Sequence, residues 1–133
     1  MTELEFFKEL FPPTDEYLNV HSFISHDGEL LDYPEEMEDT PRIKEEGPVC
    51  ECVGENTNKA LFLYFQKIIK QGVQLPVYVN LDNQIMDGWH RLHAYYYMGE
   101  HKVPIYRNKL WRNHGFCWKN GLDGKRRLRL KTW

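Results

Sequence analysis

The stretch IMDGWHRLHAYYYMGEHKVPIY, Ile85 to Tyr106, limits what this chain can fold into more than any other. It reads as strand, tight turn, helix, strand. An apolar run ends at Asp87, and Gly88 turns the chain. A helix follows over roughly Gly88 to Met98, Gly99 stops it, and Lys102 to Arg107 resume a strand. The strand-to-helix junction holds Asp87, Gly88, Trp89, His90 and Arg91 in succession.

Such a junction suits an anion. The first N–H groups of a helix have no intrahelical partner and lie at the positive end of its dipole. A phosphate placed there accepts their bonds. Gly88 lets a ligand approach without meeting a Cβ. Arg91 offers a planar fork for two charge-assisted bonds. His90 offers one further donor or a proton shuttle. Asp87 would repel a phosphate beside it, so its roles are toward a hydroxyl, a base step or Mg²⁺. The structural alternatives use the same residues. Asp87 serves as an N-cap, Arg91 pairs with an N-terminal acid, and Trp89 is core.

The rest of the chain supplies elements for one small domain over residues 1–133. TELEFFKELF has helical spacing and stops at Pro12-Pro13. NVHSFISHDGELLDY predicts two short strands around Asp27-Gly28. PEEMEDTPRIKEEGP is acidic and bracketed by prolines, which predicts an exposed loop or a short helix. Asn56 or Thr57 caps a helix whose Leu61, Phe65, Ile68 and Ile69 share a face, and Gly72 ends it. LPVYVNLDNQIMD gives two strands around Asp82-Asn83. In RRLRLKTW, Leu128 and Leu130 alternate with bases, as in a half-buried strand. The fold class is therefore α/β, a small mixed sheet with packed helices.

Charge divides the chain. Residues 1–60 hold 16 acids and 4 bases, a balance of −12, and residues 61–133 hold 13 bases and 4 acids, a balance of +9. The halves attract each other, and the basic half has the sign for nucleic acid. Three cysteines build no disulfide framework, and C-x-C at Cys50 and Cys52 lacks a second ligand pair, so no metal site is assigned. No apolar run is long enough for a membrane, and the acidic N-terminus is no signal peptide, so a cytoplasmic protein is expected.

The ordered set Gly72, Pro76, Val77, Val79, Asp87, Gly88, His90, Arg91, Ala94, Gly99, Val103, Pro104 and Ile105 resembles the core of the ParB/sulfiredoxin superfamily. The likeness spans about residues 60–107, within a core of about 56–107. An acidic segment (1–55) precedes it and a basic extension (108–133) follows. Thr40-Pro41-Arg42-Ile43 echoes a Pro-Arg of that family. The resemblance implies a nucleotide (ATP, ADP or CTP) as ligand, held by Gly88, Trp89, His90 and Arg91 with Arg42 as a second phosphate contact. Asp87 and His90 are the catalytic candidates, Mg²⁺ the companion ion, and phosphoryl transfer or nucleotide hydrolysis the chemistry. Trp89 stands where sulfiredoxins carry their reactive cysteine, which excludes that repair reaction. The second nucleotide motif and the helix-turn-helix domain of partitioning proteins are not found after Tyr106. The alternative is a non-enzymatic module that binds nucleic acid or a protein partner through its charged halves, or a ParB-like nuclease.

Overall fold

Thr2 begins the first helix, α1 (Glu3–Leu10), by accepting a hydrogen bond from the Glu5 amide at 3.2 Å. Phe6 and Phe7 on its inner face are buried. The computed structural model describes residues 2–37, 39–41 and 57–107, together with the backbone of 111–112 and 130–131. After α1 come β1 (Tyr17–Asn19), α2 (Asn58–Lys70), β2 (Val77–Val79), β3 (Ile85–Asp87), α3 (Trp89–Tyr97), β4 (Lys102–Arg107), β5 (Trp111–Arg112) and β6 (Leu130–Lys131).

Four strands form a mixed sheet in the order β1-β4-β2-β3. β2 runs parallel to β4, with Val77 opposite Ile105 and Tyr78 opposite Tyr106. β1 lies antiparallel on β4, and β3 antiparallel on β2. β5 and β6 pair antiparallel as a separate two-stranded ribbon.

Side chains alternate across a strand, so the sheet has two faces. Val77, Val79, Val103 and Ile105 are on one face, packed with Val20, Phe23, Ile85, Leu92 and Tyr95. Tyr78 and Tyr106 point to the other face, their rings 4.8 Å apart, among Phe7, Phe11, Leu61, Phe65 and Ile68 of α1 and α2. α3 contributes to both clusters, with Leu92 and Tyr95 in one and Ala94 in the other.

The expected helices form where the pattern put them. Thr57 caps α2, its hydroxyl accepting from the Ala60 amide at 3.1 Å, and Gly72 ends it in the left-handed region at φ +93°. The β2–β3 turn uses Asn83 at φ +66°. The hairpin expected around Asp27-Gly28 is corrected. The strand of that region lies earlier, at Tyr17–Asn19, and only a single bridge, Ile24 to Leu30, closes the Asp27-Gly28 turn. Ile24 also donates to Asn83 O and accepts from the Ile85 amide, both at 2.9 Å. Its bonding groups cover the edge of β3, while Leu31 donates to Phe23 O at 2.9 Å and Ser25 to Glu29 O at 2.7 Å across the turn, and the pairing does not extend into two regular strands.

The acidic and basic halves meet as their charges lead one to expect. Lys67 reaches Glu3 at 3.2 Å, and Arg107 reaches Glu16 at 2.6 Å. Among the described residues no helix is long and apolar enough to cross a membrane.

Ile105 has no exposed surface, whereas Leu63 is 48% exposed. Ile105→Ala should cost about 2–5 kcal/mol of unfolding free energy, and Leu63→Ala under about 0.5 kcal/mol. Urea denaturation of the two variants checks this; equal midpoints would contradict the packing described.

Candidate functional site

Gly88 is the N-cap of α3 and adopts φ +108°, a conformation L side chains rarely take. Being glycine, it brings no side chain to the cap. Space imposes a second restriction. A Cβ built on Gly88 would lie 3.1–3.2 Å from the guanidinium of Arg91. The glycine therefore turns the chain and also makes room for the arginine beneath it.

Arg91 is turned inward and is only 5% exposed. It donates to the carbonyl of Pro76 at 2.8 Å and to Asp87 Oδ2 at 3.1 Å. The guanidinium carbon sits 4.6 Å from the ring centre of Phe11, where α1 ends, and 6.0 Å from that of Tyr78. The acid it pairs with is its own neighbour one turn back, not one of the N-terminal acids. Burial demands this degree of satisfaction, because an unpaired guanidinium in that place would be very costly. The fork that could embrace a phosphate is engaged inside the fold.

Asp87 ends β3 with its side chain 38% exposed, one carboxylate oxygen on Arg91. It is not the N-cap, since Gly88 takes that position. Trp89 opens α3 at 42% exposure and is not core. Its ring rests on that of His93, centroids 4.3 Å apart. His90 is half-buried, and its Nε2 lies 2.7 Å from Asn58 Oδ1 in the first turn of α2. Asn58 in turn holds the end of the preceding loop. Its backbone amide donates to Thr40 O and its side-chain amide to Thr40 Oγ1, both at 2.9 Å. Pro41 bridges to Thr57. Arg42 lies outside the described residues, and its described neighbour Pro41 lies at the start of α2.

The beginnings of α2 and α3 thus lie side by side, tied by His90 and Asn58. The two ends differ. Thr57 supplies a hydroxyl cap to α2, whereas glycine opens α3. Asp87, Trp89 and His90 border that opening. Among the described residues no group of three His, Cys, Asp or Glu side chains could hold a metal ion.

Asn58 and Thr40 were not among the residues singled out from the sequence. Asn58 carried one usable signal, its place just inside a predicted helix start. Thr40 carried none, because its role depends on a contact with a residue 18 positions away. His93, three residues from His90, is almost fully buried in an aromatic cluster and takes no part in the opening. Its pKa is lowered from the usual imidazole value by burial, partly offset by the hydrogen bond to the Trp89 carbonyl. On the same helix, Tyr95 accepts from the Leu75 amide at 3.0 Å, and burial pushes its phenol up to about 12.

The chain matches no protein-family model, no curated protein and no solved structure.

Removing the arginine should be felt as a loss of fold. Arg91→Ala deletes a buried charge, its two bonds and its contact with Phe11, at an expected cost of about 3–5 kcal/mol. Arg91→Lys should recover part of this, because a point charge cannot satisfy both acceptors in the same geometry. Chemical denaturation gives the answer, and a cost below about 1 kcal/mol for Arg91→Ala would show that the inward pairing carries little.

Proposed function

We propose that the chain binds a phosphate ester, with a nucleotide as the ligand class, at the opening of α3. The observation that carries this reading is the contact between His90 and Asn58. It sets a glycine-opened helix end beside a second helix start and fixes a histidine at the rim. The resemblance of the Gly72–Ile105 pattern to the ParB/sulfiredoxin superfamily points the same way. A reduced, cytosolic setting fits both.

In this reading the first amides of α3 take the phosphate oxygens and the imidazole of His90, held by Asn58, flanks them. Trp89 borders the ligand. Arg91 acts from beneath, since its guanidinium packs under the glycine turn and holds it in place. Arg42, next in sequence to Pro41, is the candidate for a second phosphate contact. Asp87 retains enough exposure to orient a hydroxyl or to join the shell of Mg²⁺. One carboxylate does not bind that ion alone, but Mg²⁺ is commonly held by one or two carboxylates together with substrate phosphates and water. Neutralising phosphate charge is the main catalytic need in phosphoryl transfer, so transfer or hydrolysis is the chemistry such a site would serve. The competing reading is a non-catalytic module that binds nucleic acid through the basic residues 125–131, most of which lie outside the described residues.

A thermal-shift screen of ATP, ADP, CTP and GTP, each with and without Mg²⁺, tests the proposal. A ligand at a hundred times its dissociation constant adds about 2.7 kcal/mol, which raises the midpoint of a domain of this size by roughly 10 °C. His90→Ala should remove the shift while leaving the unliganded protein folded, a separation that Arg91 variants do not offer. If no nucleotide moves the wild-type midpoint at millimolar concentration, the nucleotide reading is wrong. Salt-dependent binding of single-stranded nucleic acid, lost on neutralising Arg126, Arg127 and Arg129, would then favour the module.

A further inference from the structure

The strap Leu31–Met37 lies over α3 and is fastened mainly by aromatic side chains. Tyr33 stacks on Tyr96, centroids 4.1 Å apart and planes 5° from parallel, and its hydroxyl donates to Val20 O at 2.5 Å. The Tyr97 hydroxyl donates to Pro34 O at 2.6 Å, and the Leu31 amide donates to Phe23 O at 2.9 Å. A few residues on, Thr40 and Pro41 meet Asn58 and Thr57.

Beneath Tyr33 lies His93, 1% exposed. The ring of Tyr33 meets it edge-on at 5.4 Å, and that of Trp89 lies at 4.3 Å. His93 Nδ1 donates to the Trp89 carbonyl at 2.8 Å, which leaves Nε2 as the site for a second proton. Among the described residues Nε2 has no hydrogen-bond partner. A proton there would place a full charge among aromatic rings with no acceptor for its N–H.

We propose that His93 and the strap form an acid-sensitive latch: proton uptake at His93 Nε2 releases Tyr33 and frees the strap Leu31–Met37 from α3. The strap itself bears Asp32, Glu35 and Glu36, all exposed, so a histidine uncovered by release meets water and nearby carboxylates. α3 presents Trp89, Tyr96 and Tyr97 to the cluster, and α2 presents the apolar Phe62 against Tyr97. His21, beyond β1, is the other imidazole there, edge-on to Tyr33 and Tyr96 at 6.1 Å. The linkage has one sign. The closed latch holds His93 neutral, with its pKa below that of an open-state histidine. The latch is therefore fully closed above about pH 6.5 and loses stability as pH falls below it, by up to about tenfold in the opening constant per pH unit, until the closed-state value is reached. The readout needs no ligand, so its failure would leave the phosphate reading untouched.

Hydrogen exchange of the full chain, corrected for intrinsic rates, tests the latch between pH 7.5 and 5.0. The Leu31 amide, the one strap amide that donates a backbone hydrogen bond among the described residues, should lose protection by about an order of magnitude while the interior of α2 keeps its own. The midpoint should coincide with the titration of the His93 ring measured by NMR. His93→Phe, which keeps a ring, and His93→Asn, which keeps a donor for the Trp89 carbonyl, should both lack the response. A strap whose protection is flat across this range, one that follows the titration of His21, or variants that respond as the wild type does would each overturn the proposal. Should both variants already be open at pH 7.5, the agreement or disagreement of the two wild-type midpoints decides.

Discussion

The guanidinium of Arg91 is the point through which the elements around the candidate site are held. It reaches the carbonyl before β2, the carboxylate at the end of β3 and the ring that closes α1, all from the first turn of α3. A buried cation has a large desolvation cost, and that cost is offset only when every partner is in place. Each partner belongs to a different element, so the cost of losing any one becomes a penalty against misplacing that element. Gly88 is the counterpart of this constraint. With a side chain at that position, the space the guanidinium fills would already be contested.

The electrostatics of the chain follow the same economy. Its sequence divides sharply into an acidic and a basic half, and the fold uses part of that division internally. Lys67 and Arg107 reach back to Glu3 and Glu16, closing α1 and the lead-in to β1 onto the later elements. These surface pairs each contribute little, on the order of 0–1 kcal/mol. Their effect is on register more than on stability, because they join segments more than 60 residues apart. Charge asymmetry in a sequence is therefore weak evidence for a polyanionic partner until the internal pairs are subtracted.

The regular elements were legible because their signals are local. Thr57 and Gly72 bound α2, Gly88 and Gly99 bound α3, and Val77, Val79, Val103 and Ile105 alternate as strands do. The candidate site was legible only as a cluster of residue types at a junction. The sequence could not tell which way Arg91 points, since the same spacing serves a phosphate outside or an aspartate and a carbonyl inside. What decides is Phe11 and the Pro76 carbonyl, which lie 80 and 15 residues away along the chain. The Asp27-Gly28 turn forms, but the pairing it closes stops at one antiparallel bridge, Ile24 to Leu30, and Ile24 bonds the edge of β3 with its other side. Thr40 was invisible because it matters only through Asn58, 18 positions on, and the contact of Asn58 with His90 spans 32.

A strand-turn-helix junction of this kind has two reasons to keep its glycine and arginine, and they have to be separated. If the pair served only a ligand, the arginine would face the ligand and the glycine would be free to change once binding was lost. Here the arginine faces inward and the glycine accommodates it, so the fold alone is reason enough for both. It follows that the most conspicuous residues of the motif are the least informative about what the site does. The residues that can report on function are those at the rim: His90, half-buried against Asn58, and Trp89, exposed beside it. Asp87 belongs to the Arg91 anchor itself. An anchor that fixes a helix opening to this degree is also what a phosphate site needs, because preorganised amides neutralise charge without reorganising when the ligand arrives. The structural role of Arg91 therefore prepares the site that the phosphate reading invokes.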